Sequence, residues 1–317
     1  MILDKNVPTP GHLVLVGAMM LALVSCARQS APQSAGDAAA GPSGANAPIK
    51  VAATISTLAA LVQMVGGDKV DVFSIVPVGV SPETYDPAPQ DLVKIASAQL
   101  IVENGAGLEL WLQKLLRSAA SSKARVLVLS DGMPVAGATG NGEPGNPHLW
   151  LDPTYAQAYV HKIASALRDI DPGNAAAYSA NESAQIAKLA ALDAWIRAQI
   201  ATIPPDQRAM ITFHDAWFYF DRRYGIKDIG AIEPSPGQQP SAAYFAALVK
   251  QARDNHVRAI FAEPQFSPKL AAQLAASAGI TTVSDLYDDT LGTTPELQTY
   301  EGMMRYDVNT IVKALRS

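Results

Sequence analysis

The segment 171-DPGNAAAYSANESAQIAKLAALDAWIRAQIATIPP-205 reads as one uninterrupted helix, and the rest of the chain falls into place around it. Tyr178, Ile186, Leu189, Leu192, Ile196 and Ile200 recur at helical spacings. Asp171-Pro172 opens the segment and Pro204-Pro205 ends it. Proline is tolerated in a first helical turn, where its missing N–H has no partner to lose, but it cannot continue a helix. The spacing predicts one long, stiff helix over 172–203, with a shorter helix over 155–169 leading into it. Such a rod differs from a set of flexible hinge strands and would restrict wide opening and closing.

Short apolar runs alternate with helical patterns on both sides of the rod. Before it, strands are expected at 49–54, 69–76, 99–103 and 125–129, with helices at 57–66, 89–97 and 108–119. After it, strands are expected at 208–213, 226–232, 258–262 and 281–284, with helices at 216–224, 241–255, 267–278 and 296–316. Strands alternating with helices imply parallel sheets wrapped by helices. The expected fold is therefore α/β: two lobes, each a parallel sheet flanked by helices, joined by one long rigid helix. The expected boundaries are 49–153 for the N-terminal lobe, 154–203 for the connecting helices and 204–317 for the C-terminal lobe. The halves share a layout but no sequence repeat.

Upstream of the lobes lies a segment of another kind. Leu13 to Val24 is apolar and too short to span a bilayer comfortably, as expected of the core of a signal peptide over residues 1–25. It ends in 23-LVSC-26, which resembles a bacterial lipobox, and Cys26 is the sole cysteine of the chain. Cleavage before Cys26 would leave that residue to carry a lipid. A lone cysteine allows no intramolecular disulfide. Residues 26–48 are rich in Ala, Pro, Ser and Gly without apolar periodicity, the composition of a flexible tether. The net charge of −5 leaves no basic footprint, so no nucleic-acid partner is expected.

The five histidines sort unequally. His12 falls in the signal segment. His161 has Gln157, Ala158, Ala164 and Ser165 as its neighbours one turn away, so its own helix offers no carboxylate partner. His256 sits at a helix end, a favourable place for a cation. His214 comes at the carboxyl end of an expected strand, where open α/β sheets bind ligands. His148 follows the last strand of the first lobe within 144-PGNPHLWLDPTY-155. Two histidines at the facing edges of two lobes are candidates to share a metal ion.

Several segments in order along the chain carry a resemblance. They are 76-VPVGVSPETYDPAPQDLVKIASAQLIVENGAGLELWLQKLL-116, 147-PHLWLDP-153, 213-FHDAWFYFDRRYG-225, 260-IFAEPQFSPK-269, and 286-LYDDTLG-292 with 300-YEGMMRYDVNTIVKAL-315. The chain resembles the periplasmic metal-binding proteins of ABC importers for zinc and manganese, the cluster A-I or cluster 9 family. The resemblance implies two α/β lobes joined by one long helix and a single ion held by four side chains, two from each lobe. The first ligand is normally a histidine in a motif like Pro-x-x-x-Asp-Pro-His-x-Tyr. Here the segment reads Ser81-Pro82-Glu83-Thr84-Tyr85, so Glu83 stands in its place. The second and third ligands fall on His148 and His214. The fourth falls on Asp289, with Asp288 and Asp285 close by. Each imidazole then needs an acceptor for its second nitrogen, and Asp152, Asp215 and Glu263 are candidates.

The implied cargo is a divalent transition-metal ion, zinc first, manganese next, then iron. Imidazole suits zinc and carboxylate oxygens suit harder ions, while raw affinity at such a site favours zinc over manganese. The stretch 134-PVAGATGNGEPGN-146 is short and has no histidine, unlike the His- and acid-rich loop that many zinc-type relatives carry. The resemblance further implies a monomeric lipoprotein of the cell envelope, facing the periplasm or exterior, that delivers its ion to an ABC permease. No Gly-x-x-x-x-Gly-Lys-Ser/Thr pattern occurs, so ATP hydrolysis would belong to a partner ATPase. The alternative is a zinc-dependent envelope hydrolase with three protein ligands, an open water position and Glu83 as general base. The helix-borne His-Glu-x-x-His pair that often accompanies such chemistry is absent from the sequence, and no enzymatic role is expected.

Overall fold

Period-two burial along the strands decides how the layers stack. In β1 (Ile49–Ala53) the side chains of Val51 and Ala53 enter one core while Ala52 enters another on the opposite face. In β3 (Leu100–Glu103), Leu100 and Val102 follow the first pair and Ile101 follows Ala52. Both faces of the sheet are therefore covered, as parallel sheets require. These and all later observations come from a computed structural model that describes residues 47–112, 115, 124–138, 145–233 and 237–316. The expected signal segment with His12, Cys26, nearly all of the tether, and residues 113–114 and 116–119 of the expected helix 108–119 lie outside the described residues.

The first sheet is completed by β2 (Val70–Ser74) and β4 (Arg125–Val128), in the order β2-β1-β3-β4 with every pair parallel. The second holds β5 (Ala209–Thr212), β6 (Lys227–Ala231), β7 (Ala259–Ala262) and β8 (Thr282–Asp285), in the matching order β6-β5-β7-β8, again parallel. Each strand order reverses beside its first strand. That reversal opens a crevice at the carboxyl ends of the strands, where open α/β sheets bind ligands.

The helices are α1 (Ser56–Gly66), α2 (Pro89–Ser97), α3 (Pro153–Ile170), α4 (Ala175–Ala201), α5 (Phe218–Tyr224), α6 (Ala242–Asp254), α7 (Lys269–Ala278) and α8 (Tyr300–Arg316). Asp152 caps α3 by accepting the Thr154 N–H at 2.8 Å, with Pro153 in the first turn. Gly225 ends α5 at φ 73°, a left-handed conformation that costs glycine little.

The expected rod is α4, 27 residues long, with Pro172–Asn174 forming a separate 3₁₀ turn before it. Tyr178, Leu189, Leu192, Ile196 and Ile200 are buried on it, and Ile186 is packed at the margin. It does not stand free between the lobes. It packs along α3, and both belong to one hydrophobic core with residues of the two lobes. Leu58 of α1, Trp150, Ile196, Phe220 of α5, and Met304 and Leu315 of α8 are all members. The inner faces of both sheets feed the same core, through Val51 and Val102 on one side and Met210 and Phe261 on the other. Sequence periodicity shows that α4 has an apolar stripe but not that two sheets share it.

A polar clamp fastens the rod to the second lobe. Asp193 of α4 accepts from Arg223 Nε at 2.7 Å and Nη2 at 2.8 Å, and from the Tyr224 hydroxyl at 2.8 Å. The Arg223 hydrogen bonds hold the Asp193 carboxyl below its ordinary range, against the opposing effect of burial. His161 also finds a partner its own helix lacks. Its Nδ1 lies 2.6 Å from Glu182 of α4, which Arg168 also engages.

Two predictions follow from this packing. Ile196→Ala should destabilise the protein by about 2–5 kcal/mol in chemical denaturation, because a fully buried branched side chain leaves a cavity. Val93→Ala, at a 72 % exposed position, should stay within about 0.5 kcal/mol of the parent. The clamp predicts a pH signature. A carboxyl with a depressed folded pKa contributes stability above its unfolded value of about 3.9, and that stability is lost as pH falls through the folded value. Asp193→Asn should cost about 1.5–3 kcal/mol near pH 6. The gap to the parent should narrow below about pH 4 in urea melts across the acid range. A gap independent of pH would show that the ion pair is not its source.

Candidate metal centre

Every candidate ligand lies in a connection that leaves the carboxyl end of a parallel strand. Glu83 lies in the loop after β2, His148 in the connection after β4, His214 directly after β5, and Asp289 after β8. Two come from each sheet, so local sequence alone cannot bring them together. The structure does so: one ligand atom from each of the four lies within 4.8 Å of the other three. The two histidine Nε2 atoms are 3.2 Å apart. Asp289 Oδ1 is 3.3 Å from His148 Nε2, and its Oδ2 is 3.8 Å from His214 Nε2. Glu83 Oε1 closes the group at 3.9 Å from His148 Nε2.

The outer nitrogens fix the tautomers. His214 Nδ1 lies 2.8 Å from both oxygens of Glu263, a carboxylate that can only accept when ionised. His148 Nδ1 lies 3.0 Å from Asn146 Oδ1. Asn146 Nδ2 is committed to the Asp215 carbonyl at 2.6 Å, so its oxygen is the end that faces His148. Both rings therefore keep a proton on Nδ1, and both Nε2 atoms face the same space. Zinc held at about 2.0–2.1 Å by four donors spans a tetrahedron with edges of about 3.3 Å. The nitrogen–nitrogen separation of 3.2 Å and the His148–Asp289 separation of 3.3 Å lie close to that edge, whereas the His214–Asp289 and His148–Glu83 separations of 3.8 and 3.9 Å exceed it.

The oxygens are left unpaired in the same direction. Both oxygens of Asp289 and Glu83 Oε2 are buried without a hydrogen-bond partner. Buried unpaired carboxylates are costly, and a bound cation removes the cost. Burial raises the Glu83 pKa, with Asp289 adding repulsion. For His214, burial disfavours the charge, but Glu263, Asp288 and Asp289 outweigh it and lift the pKa well above the ordinary value. Burial pushes Glu263 up as well, with Asp288 beside it. Burial also works to raise Asp289, but the His148 ring prevails and holds its carboxyl low.

Asp288, Asp285, Asp152 and Asp215 take other places. Asp288 accepts the Asp289 N–H at 2.7 Å and Gln265 Nε2 at 3.1 Å, so it braces the ligand loop behind His214. Asp285 is exposed at the end of β8. Of the three candidate acceptors for the imidazoles, Glu263 takes the role. Asp152 caps α3 and faces Arg223 at 3.3 Å, and Asp215 contributes its backbone carbonyl. Asn146, Gln265 and Trp150 escaped the sequence reading. Trp150 donates Nε1–H to the Asp288 carbonyl at 2.8 Å, and its ring meets that of His148 edge-on at 5.2 Å. An asparagine two residues before a histidine was the available signal for Asn146, because its short side chain reaches forward along the turn, where its oxygen accepts the His148 N–H at 3.1 Å. His161 and His256 stand outside the cluster.

Against known proteins, the family described as zinc-uptake complex component A, periplasmic, matches residues 51–314. The chain belongs to this family. The manganese-binding lipoprotein MntA of Halalkalibacterium halodurans is 29% identical over 84% of this chain and 88% of its own length. The iron-binding protein YfeA of Yersinia pestis is 32% identical over 83% and 85%. The Mn-bound periplasmic metal-binding protein of Candidatus Liberibacter asiaticus superposes with a TM-score of 0.76 at 26% identity, covering 84% of this chain and 99% of that one. The names of these relatives specify different metals, manganese for one and iron for another.

Asn146→Ala should lower divalent-ion affinity about 10–100-fold, as loss of an imidazole's outer partner usually does. Competition against a chelating dye would measure it, with circular dichroism confirming a retained fold. An unchanged affinity would mean that the His148 ring is held by its packing against Trp150 alone.

Proposed function

We propose that this chain captures one divalent transition-metal ion between its two lobes, through Glu83, His148, His214 and Asp289, and delivers it to an ABC permease driven by a partner ATPase. The supporting observation is convergence. Four ligand side chains from two sheets meet with their lone pairs facing inward and their outer atoms already braced. Relatives of this chain include metal ABC transporter substrate-binding lipoproteins, among them that of Streptococcus sanguinis. The lipid would be carried on Cys26, with residues 26–48 as the tether and residues 1–25 removed, leaving a monomer at the outer face of a membrane. Among the described residues no helix is long and apolar enough to cross a membrane.

Zinc is the proposed cargo. Two imidazoles and two carboxylates make an acceptable tetrahedral site, and zinc outcompetes manganese at such donors. Manganese is the second reading, favoured by the carboxylate of Glu83 and by the manganese named for relatives and a structural neighbour. A carboxylate binding through both oxygens raises the coordination number, which suits manganese.

The test is elemental analysis of the full-length protein, stripped and then equilibrated with equal zinc and manganese, beside Glu83→Ala. One zinc per chain, weakened in the variant, is the expected outcome. A chain that retains neither ion would overturn the assignment. Full zinc retention in the variant would leave a three-ligand site and remove Glu83 from the set. Glu83→His should shift the zinc-to-manganese ratio towards zinc; an unchanged ratio would show that this position does not set the choice.

A further inference from the structure

The four candidate ligands are not equally reachable. The side chains of His148, His214 and Asp289 are at most 2 % exposed, whereas Glu83 is 13 % exposed. Behind His214 stand Glu263 and the Phe266 ring, whose centroid is 6.0 Å from that of the imidazole. Behind His148 stand Asn146 and Trp150. The Asp289 loop is sealed to the first lobe by three bonds: Leu291 N–H donates to Ser56 Oγ at 2.9 Å, Gly79 N–H donates to Thr290 Oγ1 at 2.8 Å, and Trp150 Nε1–H donates to the Asp288 carbonyl at 2.8 Å. The remaining side is Glu83, which forms part of the wall of an open bowl of about 450 Å³. Tyr85, Leu108, Leu110, Trp111 and Pro147 are among its other lining residues, and among the described residues Glu83 is the one charged group in the wall.

We propose that this bowl is the exchange route of the ion, and that Glu83 is the ligand that passes it between water and the buried His148, His214 and Asp289 set. The proposal rests on the four-residue cluster being the ion site. An apolar bowl with one carboxylate at its inner end focuses the field on that carboxylate and draws a cation towards it. Glu83 lines the bowl and its Oε1 lies 3.9 Å from His148 Nε2, so one carboxylate borders both the bowl and the buried cluster and can take an aqua ion before imidazoles replace its waters. The loop is braced for this task by the bowl's own walls. Trp111 Nε1–H donates to the Pro82 carbonyl at 2.8 Å, and the Tyr85 hydroxyl donates to Asp91 at 2.6 Å. Glu83 is thus fixed on both sides in sequence, and its own side chain is the part left to swing. Narrowing the bowl leaves the free and bound end states unchanged, so it slows arrival and departure alike.

The test is stopped-flow tryptophan fluorescence on the full-length protein with zinc alone and manganese alone, comparing the parent, Leu110→Trp and Gln298→Trp. Leu110 is 72 % exposed at the rim, so added bulk there leaves the core untouched. Gln298 is an exposed residue of a different groove, the one beside Ser56 and Leu291. Leu110→Trp should slow association and dissociation by a similar factor of about ten, leaving equilibrium affinity within about twofold, because a raised barrier with unchanged end states alters both rates equally. Gln298→Trp should leave both rates at parental values. Unchanged rates in Leu110→Trp with binding retained, or slowing in Gln298→Trp alone, would overturn the route. A parent that binds neither ion would instead overturn the site itself, so the two failures are distinguishable.

Discussion

The Nε2 atoms of His148 and His214 stand 3.2 Å apart, with Asn146 and Glu263 set against the two Nδ1 atoms. Two ring nitrogens at that distance repel unless a proton or another positive charge lies between them. Much of the structure serves to keep this unfavourable pair in place. Trp150 ties the turn after His148 to the opposite lobe through the Asp288 carbonyl, and the Tyr300 hydroxyl donates to the Trp150 carbonyl at 2.6 Å. Asn146 spans the same seam to the Asp215 carbonyl.

Layout was legible in the sequence because strand and helix periods are local. The helix 89–97 emerges with the expected ends, and most strands differ by only a residue or two. The four strand-end positions were reachable because parallel sheets present their carboxyl ends together, and a family resemblance singled out which side chains. The brace around them was harder to see. Glu263 reaches His214 from 49 residues away, and Glu182 reaches His161 from a neighbouring helix, so neither pairing leaves a periodic trace. Asp152 resembled an imidazole partner but was drawn off by the start of α3 and by Arg223. A carboxylate beside a helix start has two competing uses, and composition does not choose between them.

The shared core bears on how an ion could leave. Separating the lobes as rigid bodies would split a single cluster that holds Leu58, Trp150, Ile196, Phe220 and Leu315 together. Exposing each such side chain costs about 1.5–3 kcal/mol, so a wide hinge opening quickly exceeds the few kcal/mol a conformational equilibrium commonly spans. The loops at the strand ends are a cheaper place to move. The Asp289 loop is fastened to the first lobe by three hydrogen bonds, from Leu291 to Ser56, from Gly79 to Thr290 and from Trp150 to the Asp288 carbonyl, each worth only about 0.5–1.5 kcal/mol net. Leu286 and Leu291 anchor its two ends in the shared core, so the turn between them is the part that can move at small cost. The rigid helix and the weak loop seal are thus complementary: the first keeps the lobes in register, and the second leaves the ligand loops as the part of the site that can yield.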